Sequence, residues 1–331
     1  MPATQTRRLI AVVVLVPVLA ALALWAFAWP AARTAPRDLP LGVAGPPAAT
    51  AQVEKRLEQR EGAFDIHRYA DEAAARDAIE DRTVYGAVVV TPQGPELFTA
   101  SAAGPAVAQF LQQAVAQQAA AEGTQVRTVD VVATPASDPR GAAFNAAVLP
   151  LALAGIAAGA VVTVLGLRGV RAVAALLGAS ALVGMAAAGI AHSWLGVLTG
   201  DWWTEAAVLG LSALAVSGAV AGLAALIGTA GIGLAGAVVM LLGNPFSGAT
   251  SAPQMLPEPA GAIGQWLPPG AGTTLLRSVS YFDGAPATGP ALTLTWWAAL
   301  GLGAVLLGSA LRARKASSEP ATDGRELAAV G

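Results

Sequence analysis

The sequence predicts a polytopic α-helical membrane protein of six transmembrane helices, with an extracytoplasmic α/β domain inserted between helices 1 and 2. Three observations predict it. Of the 331 residues, 55% are hydrophobic and 12% charged, with a mean hydropathy of +0.59, whereas about a quarter of an ordinary soluble protein is charged. The charges are segregated: 24 of the 40 Asp, Glu, Lys and Arg residues lie in 31–140, and 7 lie in 141–311. Finally, apolar runs recur at the ~20-residue length that a ~30 Å hydrocarbon core demands.

The first element is 9–29, behind a short cytoplasmic N-terminus, 1–8. Leu9–Ala28 carries no charge, follows Arg7-Arg8 and is expected to stop at Trp29-Pro30. Ala26-Phe27-Ala28 resembles a signal-peptidase site, but the apolar run exceeds the ~7–15 residues of a signal core. A retained anchor is the better reading.

Residues 30–140 read as the α/β domain. "LPLGVAG" is a short strand, followed by a charged helix over 51–61. "AFDIHRYA" sets Phe64 and Ile66 against Asp65 and His67, the alternation of a half-buried strand. Asp71 can cap the next helix, whose apolar face holds Ala74, Ala75, Ala78 and Ile79. "VYGAVVV" is a buried strand by its β-branched content, "ELFTAS" pairs with it, 106–122 is a Gln/Ala-rich helix, and "TQVRTVDVVA" closes the set. The order βαβαββαβ implies a small α/β unit.

Five further spans follow within 141–311, approximately 143–167, 173–190, 206–228, 232–243 and 292–311. The fifth is the shortest, with only Gly228-Thr229-Ala230-Gly231 before it. Gly155/Gly159 and Gly218/Gly222 have the four-residue spacing that lets helix backbones approach closely. Trp25, Trp29, Trp194, Trp202, Trp203 and Trp296 mark helix ends, as interfacial residues do. With six spans, Arg7-Arg8, then Arg168 and Arg171, then Arg312, Arg314 and Lys315 fall on one side. The positive-inside rule makes that side cytoplasmic. The protein is then multi-pass in the plasma membrane, with both termini and the 312–331 tail in the cytoplasm.

Enzymatic chemistry finds little support. The chain has no cysteine, and its two histidines lack companions at ligand spacing, so no metal or cofactor is expected. Gly231-Ile232-Gly233-Leu234-Ala235-Gly236 matches a dinucleotide fingerprint, but no strand precedes it and no acid follows at the required distance. The only lysines are Lys55 and Lys315, which excludes a P-loop in this chain. His67 reads as a surface residue and His192 as interfacial. The pairs Asp71/Glu72 and Glu80/Asp81 read as solvated helix faces, and Asp201 and Glu205 as solvated charges flanking "WWT". No basic stripe points to nucleic acid.

The remaining segment, 244–289, is too proline-rich to span, and irregular backbone is not found facing lipid. It must be buried against protein, lie among headgroups or line a cavity. A short helix can start at Gly272 or Thr273 after Pro268-Pro269-Gly270. Leu275, Val279 and Phe282 then share one face beside Leu276, and Arg277, Ser278 and Ser280 take the rest. Arginine at a bilayer centre costs ~2.5–3.5 kcal/mol, so Arg277 belongs near headgroups or a polar cavity. The stretch reads as an interfacial or re-entrant lid.

In layout and in "NPFSG … P … LP … IGQWLPPGA … LLR", the chain resembles permease subunits of type-two ABC exporters. It looks most like the phage-infection-protein-like branch and its actinobacterial relatives. The residues that carry the motif are Asn244, Pro245, Gly248, Pro253, Leu256, Pro257, Gly264, Gln265, Pro268, Pro269, Gly270 and Arg277. The resemblance implies export of a hydrophobic or amphiphilic substrate, driven by a separate P-loop ATPase, in a homo- or heterodimer within the bilayer. Arg168 and Arg171 would form the docking loop. The alternative is a non-transporting scaffold or receptor, secretion-accessory or phage-receptor-like, that binds partners through the α/β domain. The spans lack internal charges, which argues against an ion-coupled relay.

Overall fold

The computed structural model describes residues 3–123 and 125–318. A long helix, α1 (Ala3–Ala32), leads into a five-stranded sheet. The chain then forms β1 (Leu39–Ala44), α2 (Pro47–Glu58), β2 (Phe64–Tyr69), α3 (Glu72–Glu80), β3 (Gly86–Thr91), β4 (Gly94–Thr99), α4 (Pro105–Glu122) and β5 (Arg127–Asp130). Strand order is β2-β1-β3-β4-β5, with β3–β4 an antiparallel hairpin and the other pairs parallel. Asp71 caps α3, its Oδ1 accepting from the Ala74 N–H at 2.9 Å. The alternation of the strands divides the core between two faces. Ala44, Ala87, Val89 and Phe98 pack with Ala75 and Ile79 of α3. Leu39, Leu41 and Leu97 pack with Val107 and Leu111 of α4.

The bundle comprises α5 (Ala142–Val164), α6 (Gly169–Ala188, continued by a π-helical turn Gly189–Trp194), α7 (Trp202–Ile227), α8 (Ala230–Ala237, continued by a π-helical turn Val238–Gly243) and α11 (Thr288–Ser318). Between the last two lie a 3₁₀ turn (Pro253–Met255), α9 (Ala260–Gln265) and α10 (Pro268–Tyr281). Central α7 is sheathed by α5, α6 and α11, and it is the most buried of the long helices. Small residues make this possible. A Cβ at Gly155 would stand 2.7 Å from Val216 Cβ, and one at Gly159 would stand 2.6 Å from the Ser217 carbonyl oxygen. Gly301 of α11 lies against the Gly218 backbone in the same way.

Three sequence expectations need correction. Among the described residues, five helices are long and apolar enough to cross a membrane, where six spans were expected. The predicted fifth span has eight α-helical and six π-helical residues, about 21 Å at 1.5 Å per residue. That is short of the ~30 Å core, and the chain turns away at Asn244-Pro245. Second, α1 begins at Ala3 and does not stop at Trp29-Pro30 but runs to Ala32. The last turn is secured because the Pro30 carbonyl accepts from the Thr34 hydroxyl at 3.1 Å and from the Arg33 N–H at 3.3 Å. Third, α10 starts four residues before Gly272, with Pro268-Pro269 in its first turn. Proline lacks the N–H that a first turn leaves unpaired, and its φ is already helical.

The bundle therefore has two distinct ends. At one, α1 and the α/β domain meet the 244–289 segment. Backbone N–H groups of Ala35 and Arg37 donate to the Met255 and Gln254 carbonyls at 3.0 and 2.9 Å. At the other end, Arg168, Arg171 and Arg312 are exposed. We refer to these as the domain end and the basic end.

Candidate functional site: a re-entrant cap at the domain end

The cap is built from glycine contacts. A Cβ on Gly264 would run into the Phe246 carbonyl oxygen, one on Gly261 into that of Pro253, and one on Gly270 into that of Gly264. Gly248 has φ +69°, a left-handed conformation glycine adopts without strain. These approaches press the irregular 244–257 segment, α9 and the start of α10 into one layer. Gln265 pins it, donating from Nε2 to the Ser247 carbonyl (3.0 Å) and accepting at Oε1 from the Thr274 hydroxyl (2.7 Å). Leu256, Pro257, Pro268 and Pro269 are buried within it, while Asn244, Pro245 and Pro253 are half-buried. The irregular backbone is thus enclosed by protein, as a membrane setting requires.

Depth follows from the same contacts. A Cβ on Gly272 would meet Ser212 Oγ at 2.7 Å, ten residues along α7 from Trp202. At 1.5 Å per residue this lies about 15 Å below the start of α7. From there α10 climbs back, and its last turn is held at the domain end: Tyr281 Oη donates to the Val197 carbonyl at 2.7 Å, and the Thr199 hydroxyl to the Ser280 carbonyl at 2.9 Å. The start of α10 thus packs beside the middle of α7, and its end lies against the α6–α7 connection.

Of the two settings expected for Arg277, headgroups or a polar cavity, the structure shows an enclosed polar one. Arg277 is buried, and its Nη2 donates to the Ala249 carbonyl at 2.5 Å and to Asn145 Oδ1 at 3.2 Å. The guanidinium also sits 5.0 Å over the Phe144 ring. One side chain thereby joins α10, α5 and the 247–249 turn. Ser278 and Ser280 are buried with it, because the face opposite the apolar one is covered by the α/β domain rather than by water. Arg82 supplies that cover: its Nη1 donates to Ser278 Oγ at 2.7 Å and the Thr274 carbonyl at 3.1 Å, with Phe282 stacked at 5.2 Å. Tyr85 Oη donates to Gln254 Oε1 at 2.9 Å, and burial pushes this phenol's pKa upward.

Charge-assisted bonds contribute about 1.5–3 kcal/mol each, and part of that is lost here to solvent on the open side of Arg82. Arg82→Ala is therefore expected to cost about 2 kcal/mol. The measurement is thermal unfolding in mild detergent. Limited proteolysis should cut the connections at 33–38 and 131–141 faster in this variant.

Glu205 needs correction at the site. The sequence placed it among solvated charges, yet it is fully buried. Its Oε1 accepts from the Gly200 N–H at 2.8 Å, and its Oε2 lies 2.8 Å from His192 Nδ1. The π-helical turn that ends α6 supplies His192, and the loop after it folds back to supply Gly200. Asp201 behaves as read, exposed at the helix start. Its Oδ1 accepts from the Thr204 hydroxyl at 2.7 Å and the Thr204 N–H at 2.8 Å, and these bonds hold its carboxyl below the usual carboxylate range. Asp138, unremarked in the sequence, is buried and caps α5, accepting from the Phe144 N–H at 2.9 Å.

Beneath the cap, Phe144, Leu151, Leu209, Ser212, Pro269 and Leu276 line a cavity of about 40 Å³. That is room for two or three waters and too small for a lipid-sized substrate in this conformation. At the basic end a cavity of about 170 Å³ is lined by residues that include Arg168, Thr229, Ser309 and Arg312. The predicted docking loop is tighter than expected: Arg168 is the N-cap of α6 and Arg171 lies in its first turn. Ser309 Oγ accepts from the Gly169 N–H at 2.8 Å, and Arg312 donates to the Ala225 carbonyl at 2.8 Å. Both Arg168 and Arg171 remain exposed. Among the described residues, no cluster of three potential metal ligands occurs.

The apolar multi-helix bundle, with its cap and appended α/β domain, fits a polytopic membrane protein. The model of the ABC-2 family transporter proteins matches residues 7–311, and the chain belongs to that family. No curated protein and no solved structure matches it. Membership makes it a multi-pass membrane component of an ABC-2 transporter, a class that works with an ATPase subunit.

Proposed function

We propose that the chain is the permease half of an exporter that moves a hydrophobic or amphiphilic substrate, without a catalytic step of its own. In this reading the basic end faces the cytoplasm with both termini, and the cap and α/β domain lie outside the plasma membrane. A separate P-loop ATPase docks at Arg168 and Arg171, and two permease halves assemble around the path. The observation that carries the reading is the placement of Arg168 and Arg171 at a helix N-terminus, where a cation is disfavoured by about 0.3–1 kcal/mol. Fold stability does not call for them there, whereas an acidic docking surface does. The apolar lining beneath the cap agrees with a hydrophobic or amphiphilic cargo.

Purification from native membranes in mild detergent tests this. A P-loop ATPase should co-purify in stoichiometric amount and be reduced at least tenfold by Arg168→Glu with Arg171→Glu. Recovery with secretion-type partners and no ATPase would overturn it in favour of a scaffold or receptor.

A further inference from the structure

The α/β domain contains a cavity that the export reading does not use. On the sheet face shared by α2 and α4, α2 lies over β1 and β2 while α4 lies over β4. A cavity lies between the two helices, over this face of the sheet. Leu41, Val88 and Leu97 form its floor, with Val53 and Leu57 of α2 on one wall and Leu111 and Val115 of α4 on the other. The cavity measures about 140 Å³, close to the ~150 Å³ apolar cavity that admits benzene. Leu57, Phe64, Val88, Val115 and Val126 remain only partly buried around it. These are core-type side chains with no filling.

Two arginines stand at the rim, and Arg56 has a partner of its own. Arg56 lies on α2, three residues after Val53, and Arg60 stands in the bend two residues beyond the end of the helix. Both line the cavity. Arg60 is exposed, and among the described residues its side chain makes no hydrogen bond or ion pair. Glu96, the one acid in the lining among the described residues, is matched by Arg127 at 3.7 Å. An apolar slot beside an uncompensated guanidinium complements a single hydrocarbon chain ending in an anion. Arginine recognises a carboxylate through two parallel N–H donors.

We propose that this cavity binds a monoacyl amphiphile with a carboxylate head, with part of the alkyl chain between α2 and α4 and the head against Arg60. The site needs neither transport nor an ATPase, so it stands or falls separately from the export reading. The test uses the full chain in lipid nanodiscs with a diazirine-bearing hexadecanoate and the matching hexadecanol. The acid should label peptides covering 53–60 and 111–119, at about ten times the yield of the alcohol. Ala114→Trp, which fills the slot from α4, should abolish that labelling. Arg60→Glu, a change on an exposed side chain that leaves the fold intact, should lower it about tenfold. Labelling confined to the long apolar helices, or unchanged by Ala114→Trp, would overturn the site. Equal labelling by acid and alcohol, or no effect of Arg60→Glu, would overturn the anionic ligand.

Discussion

Replacing Gly264 with alanine will destabilise the protein by about 3 kcal/mol, the upper part of the range for forced overpacking. The reason is backbone against backbone. The new methyl group would overlap the Phe246 carbonyl, which belongs to a segment buried on both sides and unable to withdraw. Side chains can rotate away from a clash, but a carbonyl fixed between Asn244-Pro245 and Ser247 cannot. The control is Gly233→Ala in α8, where nothing stands within 4 Å of the added carbon. There alanine should be neutral, or stabilising by up to about 1 kcal/mol through helix propensity. Thermal unfolding of both variants in one detergent gives the comparison. Equal midpoints for the two would show that α9 does not press on the 244–248 turn.

Arg277→Met carries the second large effect, about 3 kcal/mol. Methionine matches the arginine stem in length, so the loss isolates the guanidinium. Without it, the buried Ala249 carbonyl and Asn145 Oδ1 lose their donor, and each buried unsatisfied group costs about 1–3 kcal/mol. Arg277→Lys should recover less than half, because a compact, strongly hydrated ammonium cannot replace the planar guanidinium that sits over the Phe144 ring. The double variant with Asn145→Leu removes donor and acceptor together. Its effect should fall short of the sum of the singles by about 1 kcal/mol, the coupling expected for residues in one network. Strict additivity would mean that Arg277 and Asn145 do not meet.

Much of the scaffold was legible because it rests on local pattern. Apolar run length marked the long helices, alternation marked β2, and the Asp71 cap followed from side-chain chemistry three residues ahead of its N–H partner. The four-residue glycine spacing indicated a tight bundle, and Gly155/Gly159 and Gly218/Gly222 do sit at the helix contacts. The density of proline and glycine in 244–270 correctly singled out a segment with unusual backbone demands. What it did not reveal was the partners. Arg82 reaches Ser278 across 196 positions, and Arg277 reaches Asn145 across 132, so no spacing rule could pair them. Glu205 looked like an ordinary first-turn acid, since its burial depends on how the preceding loop folds back. A rule that a Glu in an apolar helix start must find donors nearby would have pointed to Gly200 and His192.

The Leu39, Leu41 and Leu97 core is completed by Ala252 and Met255, and this has a consequence for the order of events on the ribosome. Every strand and helix of the α/β domain is in hand once residue 130 has been made, yet the piece that closes its lower face arrives more than a hundred residues later. At about 5–20 residues per second, the wait is roughly 6–25 seconds. During it the nascent sheet carries an unsealed apolar edge beside α1 while the four helices α5 to α8 are still being delivered. The domain is therefore a lock whose key is cut late, and α1 is fastened to its neighbours only when 253–255 pairs with Ala35 and Arg37. Truncated or stalled chains lacking that stretch would present the sheet face to whatever apolar surface is nearest, making the 250s the checkpoint that separates a finished molecule from a sticky intermediate.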